Sequence, residues 1–346
     1  PVLLEDRDYQ DRYSDPGQPI TTPGPYHRRV LMFAPDGNSL YLRGRGASPT
    51  GVYPFLDRWH LTTQDKTRLW QATDPHYESV VSVLDDQATQ IITRRESPQE
   101  TPNYWRHDLA QGRAETLTDF ADPRAWYRSV EPTVIRYNRA DGITLSATLY
   151  LPPGHDPQRD GPLPTLLWAY PQEFKSRAAA SQVTAAENAF RRPYAYDPRF
   201  LLTQGYAIVM GPTMPIIGEG DAEPNDSYVR QLTQSAEAAV DYLVENGISQ
   251  RGQLAIGGHS YGAFTAANLL AHTDLFQVGI ANSGAYNRSL TPFGFQGEQR
   301  TYWEATDTYI QMSPFTHAAK INEPLLLIHG GNDENLGTYP IQSERL

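Results

Sequence analysis

One serine of this chain lies in a pattern that can activate a hydroxyl for nucleophilic attack. Ser260 has Gly258 and Gly262 two residues away on either side, which gives the pentapeptide G-x-S-x-G. An apolar run at residues 254–257 precedes it, and an alanine-rich segment up to His272 follows, so we predict a strand, a tight turn and a helix. The glycines are expected where a Cβ would collide with the neighbouring strand or helix. We predict that Ser260 is a nucleophile; an ordinary glycine-rich turn is the alternative.

An acidic residue that could orient a catalytic base follows another apolar run. Residues 325–329 are a continuous apolar stretch, which is typical of a parallel strand covered on both faces. Catalytic groups of open α/β sheets collect at the carboxyl ends of such strands, and Asp333 comes shortly after this one. We predict that Asp333 is the acid of a catalytic triad, with a turn or helix-capping aspartate as the alternative. His329 lies inside the strand end, and we interpret it as a structural residue that braces the loop.

The histidines do not supply a base in the expected order. Where the nucleophile lies on a turn of this kind, the triad follows the chain order Ser, Asp, His, and no histidine follows Asp333. The sequence begins at Pro1 and stops at Leu346 inside a helical pattern. We therefore expect an internal piece of a longer protein, without its last strand, its last helix and its general base.

Composition excludes several classes of site and partner. The 346 residues contain no cysteine, which excludes disulfides, thiol catalysis and cysteine-based zinc sites; we expect no metal and no cofactor. A net charge of −11 and an isoelectric point near 5.3 disfavour nucleic acid as a partner. No apolar run approaches the roughly 18 residues of a membrane span, so we expect a soluble protein with no membrane partner. The lack of cysteine fits the cytoplasm and a bacterial periplasm equally, and the oligomeric state stays open.

Residues 1–130 are typical of an all-β region. Short strand-like runs recur between turns, and the motif at Trp59 to Leu61 is echoed at Trp105 to Leu109. Leu61 and Leu109 are 48 residues apart, close to the roughly 40–50-residue period of β-propeller blades. Two copies are too few to close a ring of about four to eight blades. We predict that residues 1–130 are the last blades of a partial β-propeller, with an unrelated all-β sandwich as the alternative.

Residues 131–346 have a different pattern. Asp141-Gly142 separates two strand-like runs and predicts a hairpin. Five apolar strand patterns then alternate with helical ones, at residues 164–170, 207–211, 254–257, 278–282 and 325–329. The clearest helix covers about residues 227–246, with Asn225 or Asp226 expected to cap its start and Gly247 to end it. An antiparallel hairpin followed by βα alternation is the order of an α/β-hydrolase domain. The predicted fold class is therefore α/β, with a mostly parallel, doubly wound sheet preceded by part of a propeller.

Several longer stretches resemble the prolyl oligopeptidase family, whose members join an α/β-hydrolase domain to a β-propeller lid. Within that family the chain is most similar to the glutamyl endopeptidase branch, which includes chloroplast enzymes of plants, so a plastid location is implied if the source is a plant. The stretches are 168–176 (WAYPQEFKS), 211–221 (GPTMPIIGEGD), 257–264 (GGHSYGAF), 283–295 (SGAYNRSLTPFGF) and 325–337 (LLLIHGGNDENLG), with weaker matches at 13–17 (YSDPG) and 54–57 (PFLD).

The resemblance implies a serine endopeptidase that acts on peptide substrates through a Ser-Asp-His acyl-enzyme mechanism. It assigns Ser260 as the nucleophile and Asp333 as the acid. It also implies an oxyanion hole formed by the backbone N–H of Tyr261 and the hydroxyl of Tyr170, and such a donor contributes about 10²–10³ in rate. Two alternatives stay open. One is a carboxylesterase or acylaminoacyl-peptidase on the same scaffold, and the other is a catalytically incomplete binding module.

The resemblance to the glutamyl endopeptidase branch also implies cleavage after glutamate. Such cleavage requires a cation in the first specificity pocket, because an unpaired carboxylate is costly to bury. Arg288 follows the apolar run 278–282, in the loop that forms part of this pocket in related family members, and it is the first candidate. Lys175 and Arg230 are further, weaker substrate-binding candidates, and so are Arg177 and Arg300. A solvated surface charge is the alternative for each of them.

Overall fold

The computed structural model describes residues 3–122, 127, 129–194 and 196–346. Its internal contacts divide the chain into two compact units. The first comprises Pro1–Arg128 with Gln182–Arg192, and the second comprises Ser129–Ser181 with Pro193–Leu346. The sequence pattern had assigned residues 182–192 to the hydrolase region, whereas their contacts are with the all-β unit. The domain boundary at residue 130 otherwise stays a prediction.

The first unit contains two four-stranded antiparallel sheets. The strands of the second sheet are consecutive in the chain, whereas two short strand pairs are inserted between strands of the first. Trp59 and Trp105 each lie on the third strand of their sheet, so the motif that recurs in the sequence also recurs in the structure. Tyr41, Leu56 and Ile91 are at the centre of the buried apolar cluster. The first sheet contains Gln18–Pro19, Ser39–Gly44, Phe55–His60 and Lys66–Gln71, the second contains Tyr77–Val83, Gln90–Glu96, Asn103–Asp108 and Arg113–Thr116, and the short pairs are Thr21–Pro23 with Arg29–Leu31 and Ala47–Ser48 with Gly51–Val52.

The second unit is built on a seven-stranded mixed sheet. An antiparallel hairpin occupies one edge, and the remaining strands pair parallel to one another. The predicted hairpin and all five predicted apolar strands are present, with ends that differ by one or two residues. In spatial order the strands are Thr133–Asn138, Thr144–Tyr150, Ala207–Met210, Thr165–Trp168, Leu254–His259, Val278–Asn282 and Leu325–Ile328. A short parallel pair, Gln172–Phe174 with Pro215–Ile217, lies beside the sheet.

Two long helices cover the sheet. Helix Tyr228–Glu245 is amphipathic, with Leu232, Ala236 and Leu243 among its buried residues, whereas helix Tyr261–His272 is buried nearly all round, as its alanine-rich sequence predicts. The first of these begins after a 3-10 turn, and Ser227 precedes it without a side-chain cap, so the predicted capping role of Asn225 or Asp226 is wrong. Among the described elements, the shorter α-helices are Pro157–Asp160, Arg177–Ala180, Thr306–Met312 and Ile341–Arg345, and the 3-10 turns include Pro25–His27, Pro198–Gln204, Pro224–Ser227, Arg288–Leu290 and Pro314–Lys320.

Strand Leu325–Ile328 lies at the edge of the sheet, where the structure departs from a strand covered on both faces. Its side chains alternate between the two faces. Leu325 and Leu327 pack against the buried cluster at helix Tyr261–His272, while Leu326 is 54% and Ile328 45% exposed. The continuous apolar run therefore predicted the strand correctly, but the predicted covering of both faces is wrong, because the face with Leu326 and Ile328 is exposed. No helix among the described residues is long and apolar enough to cross a bilayer.

Candidate active site

The turn that carries Ser260 has the strained geometry expected of a nucleophile on a strand-to-helix turn. Its φ is 58° and its ψ is −114°, a conformation that a non-glycine residue adopts only when its surroundings impose it. Its backbone N–H donates to the carbonyl of Asn282 at 2.8 Å, and its own carbonyl accepts from Ala263 at 3.0 Å. These bonds hold the turn between a neighbouring strand and the first turn of the helix.

The two flanking glycines are required by close contacts. A Cβ at Gly258 would lie 2.4 Å from the carbonyl carbon of Gly262, and a Cβ at Gly262 would lie 2.1 Å from the carbonyl oxygen of Ala169. Both distances are far below van der Waals contact with backbone atoms. The steric reason predicted for the glycines of the motif therefore agrees with the structure.

The two residues predicted to supply oxyanion donors contact each other at this turn. The ring of Tyr170 contacts the ring of Tyr261 edge to face, with centroids 5.9 Å apart. Tyr261 is the first residue of its helix, where backbone N–H groups have no intrahelical acceptor. Tyr170 is 52% exposed, and its hydroxyl accepts a hydrogen bond from Gln296 at 3.4 Å. The predicted donor of Tyr261 is thus a backbone N–H at the start of a helix, and the predicted donor of Tyr170 is the hydroxyl of a half-exposed side chain.

Asp333 lies in the loop after the edge strand, as the sequence predicted, and the loop orders its carboxylate. One oxygen accepts from the backbone N–H of Asn335 at 2.9 Å, and the other accepts from the hydroxyl of Thr338 at 3.2 Å. The hydrogen bond from Asn335 is the largest factor that lowers the pKa of Asp333, with Thr338 and His329 adding to it. Asp333 is therefore held as an anion.

His329 braces this loop. Its Nδ1 lies 2.6 Å from the hydroxyl oxygen of Ser343, and its Nε2 lies 2.6 Å from the carbonyl oxygen of Thr338. The same Nε2 is 3.4 Å from Asp333. Both ring nitrogens thus have partners within the loop and the following helix, which agrees with the structural role inferred from the sequence.

A cavity of about 580 Å³ brings the predicted nucleophile and the first predicted cation together. Ser260 and Tyr261 form part of its wall, and so do Arg288 and the loop that orders Asp333. The lining residues are Ser260, Tyr261, Ala285, Arg288, Leu290–Gln296 and Asn335–Tyr339.

Arg288 is the buried cation of this cavity. Only 3% of the residue is exposed, and its guanidinium carbon lies 4.2 Å from the ring centres of both Phe264 and Phe295. Its Nε is buried without a hydrogen-bond partner among the described residues. Burial lowers the pKa of Arg288, and the surrounding tyrosines together with Glu173 oppose that effect. A guanidinium held between aromatic rings, with a buried Nε that lacks a partner among the described residues, is a site that can accept an anionic group.

The other predicted cations lie elsewhere on the second unit. Lys175 pairs with Glu223 at 2.7 Å. Arg230 is exposed on helix Tyr228–Glu245. Neither is among the described residues that line the cavity, so the structure brings only Arg288 of the three substrate-binding candidates to Ser260. Arg177 lies near Asp141 and Glu219, and Arg300 pairs with Asp226 and Glu298.

Sequence reasoning missed the residues that surround Arg288. Phe264, Phe295 and Glu173 all lie in stretches that were quoted for the family resemblance, yet nothing in their spacing connects them with Arg288. Glu173 is 8% exposed, and it accepts a hydrogen bond from the hydroxyl of Tyr261 at 2.6 Å. The sequence offered one signal for Glu173, namely that it lies three residues after Tyr170, between Gln172 and Phe174, within a stretch quoted for the resemblance. Within the described residues, no group of three or more His, Asp or Glu side chains could hold a metal ion.

Comparison with known proteins decides the family. A family model described as the prolyl oligopeptidase family matches residues 231–342. The chain is 48% identical over 358 aligned residues to the probable chloroplastic glutamyl endopeptidase of Oryza sativa subsp. japonica, and it is 47% identical to the protein of the same description in Arabidopsis thaliana. This chain belongs to the prolyl oligopeptidase family. All of the chain aligns with these two relatives, and it spans 38% and 37% of their lengths.

Solved structures agree on the fold of this family. Dipeptidyl peptidase 4 of Porphyromonas gingivalis aligns with 92% of this chain at a TM-score of 0.66 and 16% identity, covering 45% of that chain. An acylaminoacyl peptidase of Pyrococcus horikoshii aligns with 89% of this chain at a TM-score of 0.59 and 19% identity, covering 46% of that chain. The predicted fold class, an α/β-hydrolase domain preceded by part of an all-β propeller, is confirmed.

Proposed function

We propose that the protein carrying this chain is a serine endopeptidase that cleaves peptide bonds after glutamate. The observation that carries the proposal is the cavity shared by the strained Ser260 and the buried Arg288. The description of the two plant relatives as probable glutamyl endopeptidases supports the same activity. The nucleophile accounts for the reaction type, and the caged cation accounts for the side chain that is selected.

In the proposed reaction, the hydroxyl oxygen of Ser260 attacks the carbonyl carbon of the scissile bond while its proton passes to a histidine base. Asp333 holds that histidine in orientation and stabilises its cationic form. The backbone N–H of Tyr261 and the hydroxyl of Tyr170 stabilise the oxyanion. Collapse of the tetrahedral intermediate expels the amine, which takes the proton, and water then hydrolyses the acyl-enzyme by the same steps. His329 is engaged with Ser343 and Thr338, so we do not assign it as the base.

Selection of glutamate follows from the cost of burying charge. A guanidinium and a carboxylate can form two parallel N–H···O hydrogen bonds, and the aromatic rings around Arg288 exclude water from that pair. The buried Nε of Arg288, which has no partner among the described residues, would gain one in the complex. An amide or an alkyl side chain would leave the cation without a counter-charge, so glutamine and leucine are expected to be poor substrates.

The test uses the full-length protein with matched peptides that carry Glu, Gln, Leu or Pro before the scissile bond, and with acyl-capped and ester substrates. Ser260→Ala should abolish peptidase activity and labelling by a fluorophosphonate. Arg288→Met should lower kcat/KM for the Glu peptide by about 10²–10³, as expected when one partner of a buried ion pair is removed, with little effect on the slow Gln and Leu peptides. Arg251→Met is the control, because Arg251 pairs with Asp241 on the surface.

Four results would contradict the proposal. Fluorophosphonate labelling that survives Ser260→Ala would show that Ser260 is not the nucleophile. A wild-type protein that prefers acyl-capped or ester substrates would favour an acylaminoacyl-peptidase or a carboxylesterase, and one that neither cleaves nor reacts would favour a binding module. If Arg288→Met lowered kcat/KM equally for the Glu and Gln peptides, Arg288 would not determine the glutamate specificity, while the assignment of Ser260 as the nucleophile would stand.

A further inference from the structure

A hairpin turn places Gln296 beside the tyrosine predicted to stabilise the oxyanion. The amide Nε2 of Gln296 donates to the hydroxyl oxygen of Tyr170 at 3.4 Å, and Gln296 also lines the cavity of Ser260. Tyr170 is half-exposed, and among the described residues this is the hydrogen bond that its hydroxyl makes. Gln296 therefore links the wall of the cavity to the predicted oxyanion donor.

The backbone of Gln296 has a conformation that glycine adopts more easily. Its φ is 50°, and it is the first central residue of the turn at residues 295–298, whose end residues exchange backbone hydrogen bonds of 2.8 and 3.1 Å. Turns with a positive φ at this position mostly carry glycine, asparagine or aspartate there. The side chain of Gln296 is exposed, so burial in the core does not account for it. Strained backbone of this kind is concentrated at functional sites.

Contacts at both ends of the turn hold it in place. Phe295 packs against the guanidinium of Arg288, 4.2 Å from its ring centre. Glu298 is only 3% exposed, and its carboxylate accepts two hydrogen bonds from Arg300 at 2.8 and 2.9 Å. Arg300 also pairs with Asp226 at 2.8 Å. Aromatic packing and charged pairs therefore fix the two ends of the turn, which can impose the strained conformation on its central residue.

We propose that Gln296 positions the hydroxyl of Tyr170 for catalysis: its amide donates to the phenol oxygen and leaves the phenol proton to point at the oxyanion. A phenol carries one proton, which rotates towards an available acceptor, and at a half-exposed tyrosine water competes for it. A donor on the oxygen favours the orientation in which the proton points away from the amide, and it polarises the O–H group, which strengthens the bond that the hydroxyl donates. The inference rests on the proposed function, and it makes Gln296 a positioning residue that acts through Tyr170.

Gln296→Gly in the full-length protein removes the amide without disturbing the turn, because glycine adopts a positive φ without strain. The variant should keep the thermal midpoint of the wild type. We expect kcat to fall about fivefold, the size of one neutral hydrogen bond. KM should stay unchanged, because the loss of an interaction made only in the transition state lowers kcat and kcat/KM equally. Gln299→Gly is the matched control: Gln299 is an exposed residue of the same loop that is not among the described lining residues, so its kcat should match the wild type.

A double-mutant cycle distinguishes this positioning role from a structural one. Tyr170→Phe should lower kcat by about 10²–10³. Adding Gln296→Gly to that variant should change kcat by less than about twofold, because Gln296 acts through the hydroxyl that is then missing. The ratio of kcat/KM for matched Glu and Gln peptides is a second readout. Gln296→Gly should keep this ratio, whereas damage to the pocket of Arg288 would lower it.

Several results would overturn the inference. Two of them are a wild-type kcat in Gln296→Gly and a wild-type kcat in Tyr170→Phe. A third is an effect of Gln296→Gly that is equally large with and without the Tyr170 hydroxyl, and a fourth is a fall of the Glu-to-Gln ratio together with kcat, since Gln296 would then act on the specificity pocket. A wild-type enzyme that cleaves peptides without preferring Glu would reject only the proposed specificity, because the cycle can be measured on any peptide that is cleaved.

Discussion

At the scale of single residues, the site is marked by backbone conformations that non-glycine residues rarely adopt. Ser260, Ser283 and Gln296 have φ values of 58°, 50° and 50°, and each lies at or beside the cavity or the strand ends that border it. Left-handed backbone at such residues costs about 1–3 kcal/mol and persists only where the surroundings impose it. The strained serine turn is therefore maintained by the packing of the flanking glycines.

Gly262→Ala should destabilise the protein and disrupt the turn. The new Cβ would lie 2.1 Å from the carbonyl oxygen of Ala169, a backbone atom directly after the central strand Thr165–Trp168 that cannot move aside cheaply. Overpacking of this kind costs about 1–3 kcal/mol or more, so we expect a lower midpoint of thermal unfolding and loss of fluorophosphonate labelling. Gly331→Ala is the matched control, because nothing lies within 4 Å of a Cβ there. Equal midpoints for the two variants would show that the contact at Gly262 is not limiting.

At the scale of elements, the helix that starts at Tyr261 ends at His272, whose ring packs against His317 of the turn Pro314–Lys320. The rings of His272 and His317 are 4.6 Å apart at 68°, and the Nδ1 of His272 donates to the carbonyl of Asn268 at 2.9 Å. Burial lowers the pKa of His272, and His317 and Lys320 add to the effect. The end of the helix is therefore most stable with His272 neutral.

This arrangement predicts a loss of stability in acid. Because the folded state disfavours protonation of His272, the unfolded chain binds the proton more readily, and stability rises with pH in that range. The contribution is complete above the ordinary pKa of 6.5 and is lost as the pH falls below it. Between pH 7.5 and 5.5, the thermal midpoint of the wild type should fall further than that of His272→Gln. The exposed His27 provides the control His27→Gln, which should follow the wild type, and parallel curves for all three proteins would contradict the prediction.

At the scale of the whole molecule, the chain enters the second unit, returns to the first for residues 182–192 and then re-enters the second. Hydrogen bonds within the first unit hold this returning segment. Gln182 donates to Asp11 at 2.5 Å, the backbone N–H of Val183 donates to the hydroxyl of Tyr13 at 2.7 Å, and Asn188 donates to Asp74 at 2.7 Å. The bond from Gln182 is the main cause that lowers the pKa of Asp11 to about 2.

Tyr13→Phe should loosen the start of this segment without unfolding either unit. The amide of Val183 would lose its acceptor, so its hydrogen–deuterium exchange should become faster, while amides of the central strands keep their protection. Tyr9→Phe is the control, since Tyr9 is 71% exposed. Unchanged exchange at Val183 in the Tyr13 variant would show that other contacts order the segment.

The sequence alone determined the elements and the family. Periodicity and turn residues predicted the hairpin, the five strands and the long helix, because local backbone preferences and burial on one face are encoded in neighbouring residues. The G-x-S-x-G spacing predicted the turn at Ser260 for the same reason, since its steric requirements act over a few residues. The longer motifs predicted the family to which the chain belongs.

Only the tertiary structure decided which side chains meet. From the sequence, four other basic residues were candidates for the substrate-binding cation beside Arg288. The fold distinguishes them, because Arg288 lines the cavity with Ser260, whereas Lys175 pairs with Glu223 on the surface. The apolar run of strand Leu325–Ile328 likewise gave no indication that one face of this edge strand is exposed. Glu173 and Tyr261 are 88 residues apart in the chain, and no local pattern relates them. Contacts of that kind arise from the packing of distant strands and helices, so the charges that surround a site are known only once the chain is folded.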